Sequence, residues 1–261
     1  MKALLLAAGR GVRLKPVSDK LPKCLMPVRG IPLIEYWLAS LRHAGINSVL
    51  INLHYKADMV RRYLEQRPGD MDITMVYEPE LLNTGGTLLA NKEYFGDERV
   101  MLIHADNLCL VDLNQFIESH EQRPPQAAIT MMTYVTDTPA SCGIVLTDER
   151  GLVREFHEKV QHPPGNTANA AVYILEPEVI GYLVSLGKVK IDFSRDIIPP
   201  YIGCIYSFLN NVYHRDIGTM ESLEKAQHFK PANLDWLPEH HDKKTHLLER
   251  IDELSLRLGQ E

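Results

Sequence analysis

Four short apolar runs in the first part of the chain, separated by stretches of helical spacing, constrain its fold more than any other feature. They lie at residues 3–8, 48–53, 73–77 and 100–104. Short apolar runs bounded by turn residues read as strands buried on both faces. Between them, residues 32–44, 58–66 and 86–94 carry helical patterns. Pro32 suits a first turn and Gly45 a stop, and Pro68-Gly69 closes the second helix. Strand alternating with helix at these intervals predicts a mostly parallel sheet with helices on both faces. Right-handed crossovers then gather the strand-end loops along one edge.

The pattern changes near Pro124-Pro125. Residues 128–135, 143–146, 152–156 and 170–175 are strand-like with little helix between them. This half is expected to extend the sheet in mixed fashion and to add a small β-rich lobe. Helices are expected at 178–185 and at 193–198, the second capped by Asp192 and stopped by Pro199-Pro200. A closing hairpin, 204–208 with 212–214 across 209–211, then precedes a helix capped by Thr219 and reaching about His228. These elements make one α/β domain over residues 1–229, followed at 230–261 by a linker and a C-terminal helix. The adjacent His240 and His241 of the linker point in different directions on any regular backbone, so a metal site there is the minor reading. Leu247, Ile251, Leu254 and Leu258 form a seam of barely two heptads, too short to stand alone. It is expected to dock on its own domain or on a partner subunit, a homo-oligomer being one outcome.

Composition narrows the function. A formal net charge of −6 leaves no electrostatic footprint for nucleic acid or an anionic membrane. No stretch approaches the roughly 20 apolar residues of a membrane span. Cys24, Cys109, Cys142 and Cys204 are scattered without metal-ligand spacing and read as free thiols. The expected location is cytoplasmic.

The first run breaks into Ala8-Gly9-Arg10-Gly11-Val12-Arg13-Leu14. Glycines let backbone approach a ligand, and successive N–H groups there can form an anion-binding nest. A strand feeding such a loop is how α/β proteins hold phosphate outside the carboxyl end of a sheet. The longer pattern Leu6-Ala7-Ala8-Gly9-x-Gly11-x-Arg13-Leu14-x-Pro16, with Leu21-Pro22-Lys23-x-Leu25-x-Pro27-Val28, resembles the signature of the sugar-1-phosphate nucleotidyltransferases (NDP-sugar pyrophosphorylases). Among them it is most like the mannose- and heptose-1-phosphate guanylyltransferases. A dinucleotide fingerprint is excluded, since its third glycine falls on Leu14.

The resemblance implies a Rossmann-like fold and the reaction NTP + sugar 1-phosphate → NDP-sugar + pyrophosphate, with Mg²⁺. The nucleophile is the substrate's own phosphate oxygen, so alignment and charge neutralisation carry catalysis. Leu6, Ala7, Ala8, Gly9 and Gly11 would cradle the nucleotide. Arg13 would neutralise the departing pyrophosphate, and Lys23 the α-phosphate. Asp106 and Asp216, in His104-Ala105-Asp106-Asn107 and Asp216-Ile217-Gly218-Thr219, resemble the two metal motifs, with Ala105 replacing the usual glycine. The stretch from Glu78 to Gly86 resembles the base-reading element and assigns Glu78, Thr84 and Gly85 to the nucleotide. A carboxylate at Glu78 could accept both N1–H and N2–H of guanine; taken alone, it is equally a solvated glutamate before a proline. Gly143, Glu158, Lys159 and Asn169 match the sugar-phosphate side.

The expected pair is GTP with mannose or heptose 1-phosphate. UTP, dTTP or CTP with another sugar or small alcohol phosphate is the alternative. A non-catalytic NDP-sugar-binding regulator is a third reading, against which Arg13, Lys23, Asp106 and Asp216 all argue.

Overall fold

The computed structural model describes residues 1–67, 69, 71–229, 234–237 and 247–259. In chain order it runs β1 (Lys2–Leu6), α1 (Val17–Lys20), β2 (Pro27–Val28), β3 (Ile31–Pro32), α2 (Leu33–His43), β4 (Ser48–Leu53), α3 (Ala57–Gln66) and β5 (Asp72–Tyr77). Next come α4 (Asn83–Ala90), α5 (Lys92–Phe95), β6 (Val100–His104), β7 (Asn107–Leu110), α6 (Leu113–Glu121) and β8 (Ile129–Val135). The remainder is β9 (Gly143–Thr147), β10 (Val153–Glu158), β11 (Thr167–Leu175), α7 (Pro177–Ser185), β12 (Ile205–Leu209), β13 (Tyr213–Asp216), α8 (Met220–Gln227) and α9 (Leu247–Gly259).

The chain forms two compact units, and β1 begins in one and ends in the other. Unit 1 comprises Met1–Leu4, Leu81–Ile103 and Leu113–Asn211. Its strands follow the order β10-β9-β11-β6-β1, with β8 joining β11 to β12. β11 runs antiparallel to β6, β8 and β9, whereas β12 runs parallel to β8. Unit 2 comprises Leu5–Glu80, His104–Asp112 and Val212–Glu261. There β1 neighbours β4, and β4 pairs parallel with β5 from Ser48↔Asp72 to Leu53↔Tyr77. The architecture is thus α/β with a mixed sheet, as the two halves of the sequence imply. Leu4, Leu5, Val49, Ile51 and Met101 to Ile103 are wholly buried, which explains strands with no polar alternation.

The expected closing hairpin does not form. β12 pairs parallel with β8, Ile205 opposite Ile129, and Asn210 N–H continues along β8 to the Thr133 oxygen at 2.8 Å. β13 instead pairs antiparallel with β7, Tyr213 opposite Leu110. The Asn210-Asn211 pair between two strand-like runs is compatible with a turn, but here it is where the chain passes from unit 1 to unit 2. The helix expected over 86–94 starts at Asn83 and breaks at Asn91, whose φ of −111° leaves the helical region. Strand β7 and helix α6 were not expected; β7 is fully buried and carries no alternation.

Helix α9 docks on its own unit. Ile251, Leu254 and Leu258 are buried within this chain, with Leu247 at the edge. Each buried side chain is worth about 1.5–3 kcal/mol over exposure. His240 and His241 lie outside the described residues.

Candidate active site

Four of the expected residues meet in unit 2. Ala105 is fully buried just past β6 and donates its N–H to the Leu6 oxygen at 3.1 Å, so Asp106 leaves the sheet beside the end of β1. The β7–β13 ribbon places Asp216 opposite Asn107, and Ile217 N–H donates to the Asp106 oxygen at 3.3 Å. Two carboxylates distant in sequence therefore lie side by side. Lys23, in a 3-10 turn (Lys23–Leu25), donates from Nζ to Asp106 Oδ2 at 2.8 Å and to Asp216 Oδ1 at 2.7 Å. The two accepting oxygens can be no farther apart than the sum of those distances.

The lysine side chain is only 6% exposed, whereas Asp106 and Asp216 are 37% and 46% exposed. Burial opposes the charged ammonium, but the two facing carboxylates outweigh it and raise the Lys23 pKa above 10.5. Burial likewise pushes the Asp106 pKa up, and the Lys23 and His104 charges with the Lys23 hydrogen bond bring it below its ordinary value. Arg13 reaches Asp216 Oδ2 from Nη2 at 3.4 Å with its side chain 70% exposed, leaving the guanidinium open to an anion. Gly218 lies beneath this pair. A β-carbon there would stand 2.6 Å from Asp216 Oδ2 and 2.8 Å from Arg13 Nη2. Ser222 Oγ also donates to the Asp216 backbone oxygen, fixing the turn from β13 into α8.

A second chain of contacts in unit 2 starts at Ala7. Its N–H donates to Asn52 Oδ1 at 2.8 Å, and Asn52 Nδ2 donates to Glu78 Oε1 at 3.1 Å. Glu78 is 5% exposed, so it is not a solvated surface glutamate. His54 donates from Nδ1 to the Glu78 carbonyl oxygen at 2.8 Å, because a carbonyl can only accept. Its Nε2 then accepts from Arg10 Nη2 at 3.3 Å. Ala8 is buried, Gly9 exposed, and Gly11 adopts φ +58°. Sequence reasoning missed Asn52, His54 and Gly218. The available signals were a polar residue inside the buried run of β4 and the close approach that a glycine permits.

The other expected residues lie in unit 1. Thr84 and Gly85 stand in the first turn of α4 and hold a neighbouring segment. Gly85 and Gly86 N–H both donate to the Ile191 oxygen, and Phe193 N–H donates to Thr84 Oγ1 at 2.9 Å. A β-carbon on Gly85 would stand 2.8 Å from Ile191 Cγ2, so the site demands glycine. Gly143 lies opposite Glu158 across β9 and β10. Lys159 Nζ pairs with Glu158 Oε1 at 3.4 Å and is 66% exposed. A bulge in β11 follows Asn169, whose Nδ2 donates to Tyr173 Oη at 2.6 Å. Burial raises the Tyr173 pKa, against the Asn169 hydrogen bond and with the nearby Glu158 and Asp192 charges. Unit 1 thus brings Glu158 and Asn169 around one buried phenol, with Gly143 and Lys159 beside Glu158.

Among the described residues no group of three or more His, Cys, Asp or Glu side chains is arranged to hold a metal. No described helix is long and apolar enough to cross a membrane. The family model for "Nucleotidyl transferase" matches residues 2–233. The chain belongs to the nucleotidyl transferase family. It is 30% identical over 217 residues to the UTP–glucose-1-phosphate uridylyltransferase of Synechocystis, covering 77% of this chain and 55% of that protein. It is 31% identical over 229 residues to the D-glycero-alpha-D-manno-heptose 1-phosphate guanylyltransferase of Aneurinibacillus thermoaerophilus, covering 87% of this chain and 97% of that one. The chain therefore spans little more than half of the first relative and nearly all of the second. Among solved structures it is similar to HddC from Yersinia pseudotuberculosis, at a TM-score of 0.73 and 27% identity, covering 87% of this chain and 97% of HddC.

Proposed function

We propose that this nucleotidyl transferase moves a nucleotidyl group from an NTP to a sugar 1-phosphate, releasing pyrophosphate. The convergence of Asp106 and Asp216 on the Lys23 ammonium carries this reading. A buried cation between two carboxylates, with the exposed guanidinium of Arg13 beside it, suits a reaction whose demand is charge neutralisation and alignment of phosphates. Arg13 is assigned to the leaving pyrophosphate, Lys23 to the α-phosphate, and residues 6–11 to the nucleotide. Gly143, Glu158, Lys159 and Asn169 are assigned to the sugar phosphate.

Mg²⁺ is the proposed cofactor, with Asp106 and Asp216 as its ligands. The donor set fits: two hard carboxylate oxygens already converge on one cation, and magnesium takes few carboxylates with water and substrate oxygens. When bound it would neutralise charge at the α-phosphate.

GTP with a mannose or heptose 1-phosphate is the proposed substrate pair. Glu78 supports guanine because a buried carboxylate can accept two adjacent N–H groups, which guanine offers and uracil does not. The heptose 1-phosphate guanylyltransferase named above supports the sugar. A matrix of ATP, CTP, GTP, UTP and dTTP against mannose, heptose and glucose 1-phosphates, read by product mass, tests both halves. A GDP-sugar is the expected product. Release of pyrophosphate in no combination overturns the reading, and a preferred UTP or dTTP overturns the base assignment alone.

A further inference from the structure

Helix α9 lies beyond residues 2–233, the span that the family model matches, yet it packs in unit 2 against α1, α3 and β2. Its apolar seam is buried there, and its polar contacts with α1 converge on a single residue, Lys20. Ser255 Oγ donates to the Lys20 backbone oxygen at 3.0 Å, and Asp252 Oδ1 accepts from Lys20 Nζ at 2.5 Å. Lys20 is the last residue of α1, where carbonyls have no intrahelical partner, so α9 supplies the missing donor. Elsewhere α9 is tied by Arg62 Nη1, which donates to the Leu258 oxygen at 2.8 Å.

The buried side of α1 faces Gly11 of the nucleotide loop across the space a β-carbon would fill. Ser18 is fully buried, and Tyr55 Oη donates to its backbone oxygen at 3.1 Å. A β-carbon built on Gly11 would stand 3.4 Å from Ser18 Cβ and 3.5 Å from Lys23 Cβ. Lys20 and all of α1 lie within the segment from Gly11 to Lys23, so the contacts of α9 with Lys20 bear directly on that segment.

We propose that Asp252 and Ser255 are positioning residues for the nucleoside triphosphate, acting through Lys20 and α1 to hold the loop from Gly11 to Lys23 in its binding geometry. The inference rests on the nucleotidyl-transfer reading of that loop. Coupling between two sites is reciprocal, so a triphosphate on the loop must also tighten α9.

The test uses the full chain carrying Asp252→Ala and Ser255→Ala. Both side chains are at least partly exposed and leave the apolar seam intact. Wild type and variant are titrated calorimetrically with ATP, CTP, GTP, UTP and dTTP in magnesium buffer, and with mannose and glucose 1-phosphates. The Kd for the triphosphate that wild type binds tightest should rise about tenfold, equivalent to about 1.4 kcal/mol. Sugar-phosphate affinity and melting temperature should stay unchanged, and Asp252→Glu with Ser255→Thr should restore binding. That triphosphate should also slow amide hydrogen exchange across α9 in wild type and not in the variant. Unchanged triphosphate affinity, or equal weakening toward both substrates with a lower melting temperature, overturns the proposal. A wild-type chain that binds no triphosphate overturns the functional reading as well.

Discussion

Lys23 and Asp106, 83 residues apart in sequence, share a 2.8 Å hydrogen bond whose donor is buried and whose acceptor is open to solvent. The arrangement hides the cation's stem and leaves carboxylate oxygen available to a further ligand. Asp216 completes it from β13.

Asp216→Asn keeps the shape of the cluster and removes one negative charge. Turnover should fall by about 10²–10³-fold, the scale on which a preorganised electrostatic contact acts. Because the carboxylate is nearly half exposed, the melting temperature should hardly move. Steady-state kinetics beside a thermal melt checks both; a variant with near wild-type turnover would refute the assignment.

Lys159→Ala should raise the KM for the sugar 1-phosphate far more than that for the nucleotide, since the two side chains are assigned to different substrates. Arg13→Ala should do the reverse. Equal effects on the two Michaelis constants reject the division of labour.

Gly218→Ala introduces a methyl group where the Asp216 carboxylate and the Arg13 guanidinium now approach. One of the two must move. Since effective alignment tolerates displacements well under an ångström, kcat should fall about tenfold or more. Gly218 is itself buried, but the two side chains that must yield are largely exposed, so circular dichroism should still report a native fold.

Acid stability should be governed in part by His120 in unit 1. Burial beside Arg123, with Arg99 adding to it and Glu176 opposing it, pushes its pKa down to about 4. The ring is therefore neutral in the folded chain, while the unfolded chain takes up a proton below about pH 6.5. Its contribution is fully present above that pH and is lost as pH falls toward 4, by up to about 3 kcal/mol. Urea denaturation of His120→Gln should show a shallower fall in stability between pH 6.5 and 4 than wild type. An unchanged slope counts against it.

Much of this was legible in the residues themselves. Strand β4 falls on its expected bounds, β5 and β6 lie within a residue of theirs, and Asp192 and Thr219 accept from Arg195 and Ser222 N–H as caps should. These are local matters, decided by side-chain period and by hydrogen bonds a few residues long. The opening motif marked out Arg13 and Lys23, and Leu14 at the third glycine position distinguished this loop from a dinucleotide fingerprint.

Other features depended on contacts far apart in sequence. The pairing of β12 with β8 and of β13 with β7 could not be read from runs whose lengths equally suit a hairpin, because register is set by whichever distant edge completes the buried face. Glu78 was solvated or buried until β4 placed Asn52 beside it. The seam of α9 could equally have met a second copy, and its own α1 and α3 met it first. Period and motif determined the alternating strands and helices of the first part of the chain and marked the loop to which phosphate is assigned. Tertiary structure alone decided which side chains share a dielectric and a partner, since burial and Coulomb interaction depend on distance in space rather than along the chain.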